Sequence, residues 1–120
     1  MKAMLVVAFV CSCPPLFAQQ PADSLFLVTY SLGENWDANK APADQEYFKQ
    51  HSAHLGALRK EGVIQIGARY ANKGMIVIVA ATTAEAARLI TSDEAIVHKL
   101  FRVEIHKMSL FYDGCLNKRP

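Results

Sequence analysis

Two imidazoles stand three residues apart in the stretch HSAHLGALRKEG, His51 to Gly62, and imidazole is the side chain whose proton affinity lies nearest neutrality. Held beside a cavity, such a group can act as general acid or base. Stepping by three and four from Phe48 gives Phe48, His51, Leu55 and Leu58 as one side of an amphipathic helix, with Tyr47 and His54 flanking the stripe. Read as an H-x-x-H metal pair, His51 and His54 supply two ligands and no third is obvious, so no metal is expected. Arg69 and His106 fall on polar faces of predicted strands, where they line a cavity, carry an oxyanion, or simply sit at an exposed sheet edge. Trp36, the single tryptophan, either covers a pocket or anchors its hydrophilic loop to the core. Asp93 follows Ser92 at the opening of a short helix, where a carboxylate also has a sufficient role as a cap, and His98 reads as a solvated helix residue. Neither a G-x-x-x-x-G-K loop nor a G-x-S-x-G elbow occurs, and Cys115 has no histidine near it in sequence. No cofactor is expected.

The elements that must position these residues belong to one domain, since 120 residues with 52% hydrophobic content make one real core and too little for two. The 13 basic and 11 acidic residues are scattered without runs, which argues against nucleic acid or an anionic membrane surface as partner. Residues 1–18 depart from the globular pattern: Lys2 precedes the almost uncharged run AMLVVAFVCSCPPLFA, which is broken by Pro14 and Pro15 and too short to span a bilayer comfortably. It reads as a secretory signal peptide cleaved after Ala18, giving a periplasmic or secreted protein with no membrane span. Lipidation at Cys13 is the alternative, although Cys11 fits a lipoprotein box poorly. Cleavage removes Cys11, Cys13 and Lys2, leaving Cys115 alone and 12 basic against 11 acidic residues. The organisation expected is signal peptide 1–18, flexible lead-in 19–24, folded domain 25–113 and tail 114–120.

Within the domain, Leu25 to Ser31 is β-branched and aromatic and reads as a central strand. A polar loop, Gly33 to Asp44, leads to the first helix, Ala43 to Glu61, which Gly62 stops. Val63 to Tyr70 and Met75 to Ala81 form a hairpin about the turn Ala71 to Gly74. In the first of these, Ile64, Ile66 and Ala68 are read on one face and Gln65, Gly67 and Arg69 on the other. Thr82 and Glu85 make a capping box for a second helix, Thr83 to Thr91; a short helix, Asp93 to Leu100, and a last strand, Phe101 to Tyr112, follow. The order β-α-β-β-α-β with right-handed crossovers predicts an α+β, ferredoxin-like sheet in spatial order 4-1-3-2. Helices cover one face of such a sheet, so the apolar second face predicts a homodimer packed sheet against sheet, a dimeric α+β barrel.

The run YFKQHSAHLGALRKEGVIQIGARYANKGMIVIVAATTAEAARLITSDEAIVHKLFRVEIHKMSLF resembles the YCII-related domain family, small dimeric α+β barrels similar to muconolactone isomerase. The matching pieces are HLGALRKEG, the IGARY strand, EAARLITSD and FRVEIHKM. The resemblance implies a His and Asp dyad, which by match falls on His54 and Asp93, with Glu94 where the family commonly has proline. It implies a small-molecule lyase, isomerase or dehydrohalogenase that uses no cofactor, in which His54 moves a proton and Asp93 orients the ring. A non-catalytic module that binds a small apolar ligand, or is structural only, is the alternative, since binding needs only an apolar pocket with a few polar groups.

Overall fold

The computed structural model describes residues 23–116. The segment expected to be a signal peptide, residues 1–18, lies outside the described residues, as do most of the expected lead-in and the end of the tail. The chain runs β1 (Ser24–Leu32), a 3₁₀ turn (Pro42–Asp44), α1 (Phe48–Lys60), β2 (Ile64–Tyr70), β3 (Lys73–Ala80), α2 (Thr83–Thr91), α3 (Glu94–Val97) and β4 (Phe101–Met108). The sheet has the order β2-β3-β1-β4, with every neighbouring pair antiparallel. This is the expected ferredoxin-like α+β arrangement, with β1 and β3 in the centre. Their apolar runs suit strands flanked on both sides, whereas the alternating β2 and β4 take the edges.

The helices pack on one face. Phe26, Val28 and Tyr30 of β1 and Ile76, Ile78 and Ala80 of β3 point toward them and join Leu58 of α1 with Ala86 and Ile90 of α2 in one buried cluster. On the other face stand Leu25 and Leu27 of β1 with Met75, Val77 and Val79 of β3, in cross-strand register. Among the described residues no helix is long and apolar enough to cross a membrane.

Two boundaries and one strand face depart from expectation for reasons visible in the local structure, and the short helix is confined to Glu94–Val97. α1 begins at Phe48 rather than Ala43, because Gln45 is extended and Tyr47 adopts φ 65°, left-handed backbone that a helix cannot contain. The buried Gln45 side chain instead secures the preceding loop: its Oε1 accepts from Asp37 N, and its Nε2 donates to the carbonyls of Asp37 and Lys40. The last strand ends at Met108, where pairing with β1 runs out at Leu25, and Phe111 and Tyr112 stand exposed beyond it. In β2 a register shift between Ile64 and Ile66 sends these residues to opposite faces: Ile64 pairs with core-facing Ile78, Ile66 with Val77. The single face read for Ile64, Ile66 and Ala68 is thereby corrected, since a bulge interrupts the period of two.

Candidate functional site

His51 reaches the site because it lies on the apolar stripe of α1 and is pressed toward the sheet. It is buried, and its ring contacts Tyr30, Phe48 and Phe101 at centroid separations of 5.4, 6.2 and 4.8 Å. Its Nδ1 lies 2.5 Å from Asp93 Oδ2. A carboxylate only accepts, so Nδ1 carries a proton, and in the neutral ring Nε2 is then the nitrogen with the lone pair. Asp93 is itself almost wholly buried and caps α3, its Oδ1 accepting from Ala95 N at 3.0 Å. Cap and dyad partner are thus one role: the helix start holds one oxygen, which leaves the other fixed for the imidazole. A ring stack of Tyr47 on His98 at 3.9 Å and 4° fastens the beginning of α1 to the end of α3. His98, expected to be simply solvated, also lies 3.1 Å from Glu94.

The contact expected between His54 and Asp93 is therefore made by His51. His54 Nε2 instead donates to the carbonyl of Leu89 at 2.7 Å, satisfying an acceptor near the end of α2. One helical turn separates the two histidines, and the flanking position of His54 sends it against the neighbouring helix while His51 faces inward. His54 is not on the cavity wall.

A cavity of about 610 Å³ opens beside His51, between α1, the β2–β3 turn and the loop after β1. Trp36, Phe48, Leu55 and Phe101 supply apolar wall; Arg69, Ser52 and Asn72 supply polar groups. Of the expected pocket residues, His51, Arg69 and Trp36 are on this wall. Trp36 both packs on Phe101, at 5.7 Å between centroids, and covers the cavity. His106 is not there: its register partner is Leu27, which places it on the opposite sheet face, and its Nε2 is 3.6 Å from Glu104. The alternation of β4 decides this, since Phe101, Val103 and Ile105 take the helix side.

Tyr30 and Gln45 are site-building residues that the spacing arguments passed over. In sequence Tyr30 looks like one more member of an apolar strand, although a polar-tipped aromatic at the end of such a strand is a signal in its own right. Burial, and after it the charge of Asp93, holds its phenol well above the usual tyrosine range, so it remains a proton donor. Fold and site together define a ferredoxin-like α+β domain with a histidine on the wall of an aromatic cavity and a buried aspartate behind it. No family model matches the chain, and no curated protein matches its sequence.

Proposed function

We propose that this chain is a cofactor-independent enzyme of small-molecule proton transfer, a lyase, isomerase or dehydrohalogenase of the YCII-related kind. What carries the reading is His51 on a cavity wall, held from behind by the buried carboxylate of Asp93. Asp93 fixes the tautomer and orientation of the ring, and Nε2 takes a proton from an acidified C–H or O–H of the bound molecule and returns it elsewhere. His51 replaces His54 in this role, because His54 has its Nε2 committed to Leu89.

The proposal includes a homodimer, supported by the apolar sheet face of Leu25, Leu27, Met75 and Val79, none of which the helices cover. It also includes export, supported by Lys2, the apolar run after it and Ala18.

The reaction class is tested by following solvent deuterium uptake into a panel of small lactones, keto acids and phenols by NMR. His51→Asn is the informative variant, since its amide can still donate to Asp93 while no base remains. A positioned base is worth about 10² to 10⁴ in rate, so His51→Asn should slow exchange by that factor while His54→Ala leaves it intact. Equal rates in wild type and His51→Asn would leave a binding module, the alternative that the apolar cavity also supports.

A further inference from the structure

Arg69, Gly74 and Tyr30 form one row across the sheet, for Gly74 is the register partner of Arg69 on one side and of Tyr30 on the other. All three line the cavity. Neighbouring strands lie about 4.8 Å apart, so the backbones of Arg69 and Tyr30 are separated by roughly 10 Å, with no side chain between them. Strain does not demand the glycine: a Cβ at Gly74 would have its nearest neighbour, Tyr30 Cβ, at 3.8 Å. Glycine at this position keeps the cavity floor open.

The two ends of the row differ in chemistry. At one end Arg69 and the adjacent Lys73 lie on the wall, no aspartate or glutamate does, and neither cation has an ion-pair partner among the described residues. That end is an uncompensated cationic site. At the other end Tyr30 is 6% exposed, and its hydroxyl is a buried polar atom without a hydrogen-bond partner among the described residues. Buried hydroxyls are rarely left so; the Tyr30 ring lines the cavity, so a small movement of the wall as a ligand enters would bring a ligand oxygen within reach of the hydroxyl. Between the ends, the walls are aromatic.

We propose that the cavity takes a small flat organic acid. Its carboxylate sits on Arg69, its apolar body lies over Gly74 beside Trp36, Phe48 and Phe101, and a second oxygen accepts from Tyr30 next to His51. This names the ligand class for the proton-transfer site and rests on that reading for the part played by His51. The ligand-binding claim itself is read without turnover.

The test is calorimetric titration of the full chain with 4-hydroxybenzoate, 4-hydroxybenzamide and benzoate. The acid should bind at least about tenfold more tightly than the amide, as a charge-assisted pair requires. Arg69→Gln should abolish that preference while leaving the amide's affinity unchanged. Tyr30→Phe should abolish the preference for 4-hydroxybenzoate over benzoate, and Gly74→Val should weaken all three by filling the floor. Thermal melts of each variant establish that it is folded, and Tyr30→Phe should melt no lower than wild type. Equal affinity for acid and amide, a preference that survives Arg69→Gln, or no binding of any probe would overturn the proposal. If the acids fail to bind but His51-dependent exchange persists, the ligand class falls and the proton-transfer reading stands; binding with exchange insensitive to His51→Asn gives the reverse.

Discussion

At the scale of single residues, the site shows how a buried polar group is tolerated only with a partner. Asp93 has two, the His51 ring and the Ala95 amide, whereas Tyr30 has none among the described residues. An unsatisfied hydroxyl costs about 1 to 3 kcal/mol, so Tyr30→Phe should leave stability equal or higher in the ligand-free protein. The same residue sets a pH dependence whose sign follows from its raised proton affinity. Above about pH 10 an unfolded chain loses the phenolic proton while the folded chain keeps it, so stability falls as pH rises beyond that point. Denaturant melts above neutrality should show this alkaline loss in wild type and a smaller one in Tyr30→Phe; identical slopes would remove the effect. His54→Ala, which removes one of the two donors to the Leu89 carbonyl and leaves Ser92 Oγ as the other, should cost about 0.5 to 1.5 kcal/mol by chemical denaturation.

At the scale of elements, the dyad exists because a short helix and a loop are fastened on either side of it. Gly33 donates to Leu100 O at 2.8 Å and Asn35 to Lys99 O at 3.1 Å, which lays the loop after β1 against the α3–β4 connection. The approach is close enough that a Cβ at Gly33 would stand 2.1 Å from the Lys99 carbonyl oxygen, a backbone atom that cannot swing aside. Gly33→Ala should therefore lower stability by about 1 to 3 kcal/mol, as other overpacked sites do. It should also shift the Trp36 emission to the red as the indole leaves Phe101. A melt and spectrum matching wild type would show that the loop can relax without cost. On the other side, Thr82 Oγ1 accepts from Glu85 N while Glu85 reaches back to Ala81 N, so α2 starts where its capping box dictates and delivers Asp93 to α1.

At the scale of the whole molecule, one sheet face carries the helices and the cavity, while the other presents half-buried Leu25, Leu27, Met75 and Val79 together with exposed Ile66. An apolar surface of this kind on a four-stranded sheet fits association with a second copy. Light scattering at micromolar concentration should give the mass of a dimer, and Leu27→Lys, with a charge placed amid that face, should give a monomer. A wild-type monomer under these conditions would overturn the association. His106 stands beside Leu27 on the same face, so it belongs to this surface and not to the cavity.

The elements were legible in the sequence because their signals are local. The capping box of Thr82 and Glu85, the stop at Gly62 and the doubly apolar runs of β1 and β3 each depend on neighbours a few residues away; they give the order of elements, from which right-handed crossovers give the strand order. Helical period likewise put His51 on the buried stripe and His54 on its flank, and Asp93 was legible as a residue at a helix start. Which histidine meets Asp93 was not local. The choice depends on how α1 is rotated and slid against α3, which the Tyr47–His98 stack and the left-handed turn at Tyr47 decide through contacts some fifty residues apart in the chain. The bulge in β2 was hidden for the same reason, since it exists only in the pairing with β3. So was the row from Arg69 through Gly74 to Tyr30: three residues on three strands become neighbours only when the sheet's register is set, because hydrogen bonds between strands, and not spacing along one, place them side by side.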